Sequence, residues 1–299
     1  MGRRIPQEKR QLENIEIFDI AEEGKGVGRY EDLVLFIEKA IPGDVVNVEL
    51  QRKKKNFAEG RVTQIVKSSP FRIEPFCPHF GVCGGCKWQH MSYQAQLKFK
   101  HQYVDNALTR IGKVDTSSME EILGSQNTTY YRNKLEYTFS NKRWLTDRDA
   151  VVDPEDMNAL GFHVPGRFDK ILDIEHCYLQ QDPSNKLRNN LRDFAIQHGV
   201  TFYDLRAHEG ALRNLIIRTS STGETMVVVV FAYPEEGQVE LVMNHLASEF
   251  PDITSLLYII NQKRNDTIFD QEIEVFKGRD FIYEEMEGLK FKVGPKSFY

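Results

Sequence analysis

The sequence predicts an α+β protein. A small OB-like β-barrel occupies residues 1–70, and a mixed, antiparallel-rich α+β domain follows over residues 71–290. Three observations carry this. Residues 10–66 are short alternating apolar segments cut by turn signals. Residues 122–290 mix such segments with two helical stripes. Between them lies a run rich in Cys, Gly, Pro and aromatics, too irregular for either.

Within the first region, Leu12 to Ile20, Leu33 to Ile37, Val45 to Leu50 and Glu59 to Val66 alternate as half-buried strands do, and Ile41-Pro-Gly-Asp44 is a turn tetrad. Four or five short strands in so few residues suit a small barrel. Glu23-Gly24-Lys25-Gly26-Val27-Gly28 resembles a phosphate loop but leads into a strand, so no helix dipole stands behind it. After the cysteine run, Ser92 to Ile111 reads as a helix with Tyr93, Leu97, Val104, Leu108 and Ile111 on one stripe and Gly112 as its stop. Leu135 to Phe139 alternates as a strand, and Leu212 to Thr219, Met226 to Tyr233 and Leu256 to Asn261 are further strands. The Met226 segment is apolar throughout and belongs in the sheet interior. Asp182-Pro183 opens a helix that runs to His198, with Asp182 as N-cap, and Val239, Val242, Met243 and Leu246 mark another.

Cys77, Cys83, Cys86 and Cys177 are the only cysteines. The spacing is C-x5-C-x2-C, then about ninety residues, then C. Four thiolates with no surplus is the ligand count of a metal site. Three clustered plus one distant suits an iron–sulfur cluster better than zinc, which more often takes two close pairs. Gly84 and Gly85 let backbone N–H groups approach cluster sulfurs. Two disulfides or four unrelated buried thiols remain the alternatives. His79, His90 and His176 flank the cysteines and are assigned to packing, since four thiolates already fill four positions. Trp88 is assigned to covering the cluster.

Net charge is −5, which excludes a uniformly basic surface. Locally the balance reverses: residues 51–72 hold Arg52, Lys53, Lys54, Lys55, Arg61, Lys67 and Arg72 against Glu59 alone. Such a run grips phosphate, or else is a solvated hairpin turn. In an OB-like barrel it falls in a strand-connecting loop, where single-stranded nucleic acid is held. The polar start and the shortness of the longest apolar run, Met226 to Tyr233, argue for a cytoplasmic protein with no membrane partner, and four cysteines suit a reducing compartment.

Several segments resemble the RNA uracil-5-methyltransferase family. They are Cys77-x5-Cys83-Gly-Gly-Cys86-Lys-Trp88-Gln89-His90, Tyr131-Arg132-Asn133-Lys134, Gly161-Phe162 and Asp173-Ile-Glu-His-Cys177. The first sixty or so residues resemble its TRAM domain, a small RNA-binding barrel. TRAM joined to a cysteine motif resembles the RumA/RlmD branch, which methylates 23S ribosomal RNA. The resemblance implies a [4Fe–4S] cluster on Cys77, Cys83, Cys86 and Cys177. It implies RNA, 23S rRNA in particular, as the partner of a monomer, touched by Arg52, Lys53, Lys54, Lys55 and Arg61 on the barrel and by Arg132, Asn133 and Lys134 on the central domain. In the family a cysteine thiolate adds to C6 of a flipped-out uracil. C5 then takes a methyl from S-adenosylmethionine, and a base removes the C5 proton.

This sequence departs from that pattern. Residues 291–299, Phe291 to Tyr299, resemble the family's entry into its catalytic domain, so the chain reads as the N-terminal portion of such an enzyme. No fifth cysteine remains, and no strand–glycine-rich turn–helix is evident after residue 120. The expectation is therefore no catalytic residue, no S-adenosylmethionine site and no activity in these residues alone, the cofactor belonging to the full-length enzyme. In the family the helix over residues 92–112 lies near the catalytic domain, so part of the Leu97–Val104–Leu108 stripe is expected to be uncovered. The alternative is a stand-alone iron–sulfur RNA-binding or electron-transfer protein.

Overall fold

The computed structural model describes residues 11–146 and 157–297; the polar N-terminal segment and Phe298–Tyr299 lie outside them. The chain divides into two compact units, Met1–Gly81 with Cys86–Thr128, and Val82–Gly85 with Thr129–Tyr299.

In the first unit five strands close into a barrel: β1 (Gln11–Ile20), β2 (Gly26–Tyr30), β3 (Leu33–Glu38), β4 (Val45–Lys53) and β5 (Phe57–Lys67). The order is β1-β2-β3-β5-β4, with β4 pairing back onto β1 and β3–β5 parallel. The OB-like expectation is met. Alternation explains the closure. Ile15 and Ile17, Leu35 and Ile37, and Val46, Val48 and Leu50 point inward with Ala40 and Ala58, and all are buried. Strand β2 is not among the predicted segments, because two of its five residues are glycine and break the apolar alternation. The glycines are there for close approach: a Cβ on Gly28 would lie 2.7 Å from Ile15 Cγ2, and one on Gly26 2.8 Å from the Ala40 carbonyl oxygen. The turn at Ile41 to Asp44 is fixed by the buried Asp44 carboxylate. It accepts the N–H groups of Ile41 and Ser69, each at 2.9 Å, and the Arg72 guanidinium at 2.5 and 3.1 Å.

Helix α1 (Tyr93–Asn106) runs into a π-helical turn, Ala107–Gly112, so the single α-helix expected over residues 92–112 is not formed. The Thr109 hydroxyl donates to the Asp105 carbonyl at 2.8 Å, competing with the regular ladder where the geometry changes. The predicted stripe does not face the core either. Ala95 and Phe99 are the buried residues, clustered with Ile20, Ile41 and Met91. Tyr93 and Leu97 are half-buried, while Val104, Leu108 and Ile111 are exposed. Both faces of α1 are apolar, and the one that fits between Met91 and the barrel end wins.

In the second unit a seven-stranded sheet is built from β6 (Lys134–Ser140), β7 (Ala159–Val164), β8 (Arg167–Asp173), β9 (Leu212–Thr219), β10 (Thr225–Phe231), β11 (Ser255–Ile260) and β12 (Glu274–Gly278). Its order is β12-β11-β10-β9-β6-β7-β8, and only β10–β11 is parallel. Strand β10 is buried at every position, as its continuous apolar run predicts. A hairpin, β13 (Ile282–Met286) and β14 (Leu289–Val293), covers one side: Ile282 and Val293 cluster with Ile216, Met226, Val228 and Val230. The expected domain boundary at 290/291 thus falls inside β14. Helices α2 (Ser184–Gln197) and α3 (Gln238–Glu249) contribute Leu187, Leu191, Ala195, Val242, Met243 and Leu246, all fully buried. Asp182 does not cap α2. The helix begins after Pro183 and makes no side-chain capping bond.

Gly161, in β7, passes so close to β8 that a Cβ would lie 2.1 Å from the Leu172 carbonyl oxygen and 2.7 Å from Ile174 Cγ1. Gly161→Ala is expected to destabilise the second unit by about 1–3 kcal/mol through overpacking. A thermal melt checks it, and an unchanged midpoint would show that β8 yields freely.

Candidate nucleic-acid interface

The basic run does not lie wholly in a loop. Arg52 and Lys53 end β4, while Lys54 and Lys55 sit in the turn before β5, and all four are exposed. Their surroundings separate them further. Arg61 is held by Glu49 at 2.8 Å, Arg52 lies 3.9 Å from Glu59, and Arg72 is committed to buried Asp44. Lys53, Lys54 and Lys55 make no ion pair among the described residues. Lys54 lies 5.0 Å from the centre of the Phe57 ring. Three lysines without an ion pair among the described residues thus stand side by side on the hairpin tip.

Arg132, Asn133 and Lys134 are brought together in the second unit. With Tyr131, Leu135, Glu136 and Phe162 they line a concavity of about 620 Å³. The backbone here is pinned: Arg132 N–H donates to Leu179 O at 2.8 Å, and Asn133 O accepts from Thr219 N–H at 2.9 Å and Gln180 Nε2 at 3.1 Å. Burial pushes the Glu136 carboxyl up, against the opposing pull of Lys134. The group is crowded by the walls of the concavity although it still reaches solvent. Tyr131, 55% exposed, offers a ring at the rim. Sequence reasoning did not single out Tyr131 or Phe162 as site residues. An aromatic beside a basic triplet was the available signal.

No disulfide joins the four cysteines in this structure. Among the described residues no group of three or more His, Cys, Asp or Glu side chains is placed to hold a metal ion. The iron–sulfur assignment therefore rests on ligand count and spacing. Local details agree with it in part. Gly85 N–H donates to Cys83 Sγ at 3.3 Å, as the glycine argument expects, and Gly84 N–H donates to His163 O at 3.2 Å. Cys177 does not end a strand; β8 stops at Asp173 and Cys177 follows in a buried loop. Asn185 grips that loop from both sides, accepting from Cys177 N–H at 2.8 Å and donating to Cys177 O at 3.1 Å. Arg188 holds Asn185 Oδ1 at 3.0 Å and the carbonyls of Ile174 and Glu175 at 2.9 and 2.7 Å.

The flanking residues are packing groups. Burial, then the nearby Arg72 charge, lowers the His90 pKa to about 4, so it is a neutral core imidazole beside Phe80. His176 Nε2 meets the Tyr130 hydroxyl at 2.9 Å and its ring lies 4.5 Å from that of Tyr178. Trp88 packs against Gly24, where a Cβ would stand 2.3 Å from its Nε1, and against the cluster around Met91. The reason Gly24 is glycine is this indole, not a phosphate.

Residues 6–63 match the TRAM domain. The TRAM match takes in β1 to β4 and most of β5, with the basic hairpin tip inside it. Beyond TRAM, the chain is similar along nearly its whole length to uncharacterized RNA methyltransferases. It is 53% identical to one from Bacteroides thetaiotaomicron, covering 94% of this chain and 63% of that protein. It is 35% identical to one from Chlorobaculum tepidum, covering 99% and 62%. The chain thus spans a little under two thirds of the curated relatives it matches. The fold is similar to part of that of Pyrococcus abyssi tRNA (uracil-54, C5)-methyltransferase, solved in complex with S-adenosyl-L-homocysteine: TM-score 0.66, 23% identity, 95% of this chain and 60% of that one.

The sequence offers no strand–glycine-rich turn–helix after residue 120, but the structure does hold a parallel crossover there. β10, α3 and β11 form a parallel βαβ unit. Its turn, Ala232 to Gly237, carries one glycine and two glutamates, not a glycine-rich phosphate cradle. Among the described residues no helix is long and apolar enough to cross a membrane.

Proposed function

We propose that this chain is the RNA-recognition portion of an S-adenosylmethionine-dependent RNA (uracil-5-)-methyltransferase. The observation that carries the reading is the TRAM match, with its three unpaired lysines at the tip of a closed barrel, inside a chain similar throughout to RNA methyltransferases. In this reading the protein is a cytoplasmic monomer whose target is 23S ribosomal RNA. Arg52 to Lys55 and Arg61 grip phosphate, and Arg132, Asn133 and Lys134 meet the strand at the concavity. Cys77, Cys83, Cys86 and Cys177 hold a [4Fe–4S] cluster, supported by a set of four thiols outside any disulfide and by the Gly85 N–H on Cys83 Sγ. No thiol is then left to attack uracil C6, so in this reading these 299 residues alone transfer no methyl group; without a glycine-rich strand–turn–helix after residue 120 they also bind no S-adenosylmethionine.

Anaerobic purification followed by iron and sulfide analysis, together with fluorescence anisotropy on single-stranded RNA and calorimetry with S-adenosylmethionine, tests each part separately. Expected are a brown protein with bound iron and sulfide, salt-dependent RNA binding and no heat from the cofactor. Stoichiometric zinc without sulfide would sink the cluster. Absence of RNA binding would sink the recognition role. Micromolar cofactor binding would place methyl-donor chemistry within this chain.

A further inference from the structure

The hairpin β13–β14 carries a basic and aromatic strip that the proposed site does not use. Register sets Tyr283 opposite Lys292 and Glu285 opposite Lys290. Alternation then puts Phe281, Tyr283, Lys290 and Lys292 on one face. The Lys290 ammonium lies 3.9 Å from the centre of the Tyr283 ring, and Lys292 lies 4.2 Å from that of Phe281. Arg279 lies 4.6 Å from Phe281 and 5.1 Å from Tyr283. The rings are 5.1 Å apart and nearly perpendicular. Three cations thus surround two half-buried rings.

The strip is held firmly. Ile282 and Val293, on the opposite face, are sunk in the sheet's core. Glu224 accepts Tyr283 N–H at 2.7 Å and pairs with Arg279. The Arg279 guanidinium holds the Glu224 carboxyl below its usual range. Lys290 and Lys292 are exposed and make no ion pair among the described residues. Glu285 shares their face, so the strip is basic but not uniformly so.

We propose that this strip is a second docking surface for single-stranded RNA, on which a base stacks against Tyr283 while Lys290 and Lys292 take the flanking phosphates. Base stacking on the open part of a half-buried ring outweighs an exposed cation–π contact, so the incoming base displaces the Lys290 ammonium toward the backbone. The proposal rests on the reading of RNA as partner, and it adds a surface in the second unit to the barrel tip in the first. An acidic peptide would satisfy the lysines but leave the ring without a flat partner.

The test is anisotropy of a labelled uridine-rich strand of about twenty nucleotides, read across a salt series. It compares the whole chain, Lys290→Ala/Lys292→Ala, Tyr283→Leu, and a barrel variant with Lys53, Lys54 and Lys55 changed to Ala. The double lysine variant is expected to weaken binding about tenfold and flatten the salt slope by about 1.4, two charges' worth on a single strand. Tyr283→Leu is expected to weaken binding with the slope unchanged. Its melting curve is checked, and the exposed lysine pair decides if it misfolds. If the parent chain binds no RNA, the recognition reading and this inference fall together. If the barrel variant loses affinity while both hairpin variants keep theirs, the recognition reading stands and the inference is overturned. Competition by polyglutamate as strong as by RNA would equally overturn it.

Discussion

Arg188→Met is expected to cost about 3–5 kcal/mol of stability, the largest effect of any single substitution considered for the second unit. Arg188 is fully buried on α2, and no carboxylate pairs with it among the described residues. Its charge is spread over neutral acceptors: the Ile174 and Glu175 carbonyls, the Asn185 and Asn189 amides, and the Tyr137 hydroxyl at 3.3 Å. The guanidinium also stands 5.0 Å from the centre of the Tyr137 ring. Met matches the stem but takes the donor from the buried Ile174 carbonyl and one partner each from Asn185, Glu175 and Tyr137, which keep Cys177 N–H, Asn189 Nδ2 and Ser184 Oγ, and an unmet buried acceptor carries its own desolvation cost. Arg188→Lys is expected to recover only part of the loss, because one ammonium cannot span a planar fork of acceptors. The damage should be local first. Asn185 loses the bond that fixes its amide, and the Cys177 loop loses its two-sided grip. Urea unfolding gives the global cost, and amide exchange at Cys177 gives the local one. A Met variant as stable as the parent, with Cys177 protected as before, would show that the carbonyls find other donors.

The barrel was legible because its strands alternate. Ile15 and Ile17, Leu35 and Ile37, and Val46 and Val48 announce one inward face each, and several such short strands in so few residues favour closure. Strand β2 was hidden because close approach to Ile15 and Ala40 demands glycine, and glycine carries no periodic signal. The α1 stripe misled for the opposite reason. The helix has two apolar faces, and periodicity cannot say which one the fold will cover. The βαβ unit around α3 escaped a search keyed on glycine-rich turns, since a crossover needs only right-handed packing onto the sheet. At the candidate interface the sequence located Arg132 to Lys134 and the lysine run. The ion pairs of Arg52, Arg61 and Arg72 were not legible, because their partners Glu59, Glu49 and Asp44 are distant in sequence or across a strand pair. Charge counting sees residues; pairing depends on register.

That difference sets the last expected result. Changing Lys53, Lys54 and Lys55 together to Ala is expected to weaken single-stranded RNA binding on the order of 10–100-fold near physiological salt. It should also lower the slope of log affinity against log salt by about 2, three charges at ~0.7 each. Arg61→Ala alone is expected to do far less. Its guanidinium already holds Glu49 at 2.8 Å, so removing it also frees a carboxylate, and an exposed pair of this kind contributes little by itself. The control follows from the same geometry: Arg61→Ala/Glu49→Ala removes both charges at once and should leave the salt slope nearly unchanged. Folding is not at risk, because the three lysines are exposed and lie at the hairpin end, beyond Leu50, the last β4 residue in the barrel core. Should the triple variant keep the parent slope while Arg61→Ala flattens it, the phosphate path would run along the paired arginines of the barrel wall instead of its tip.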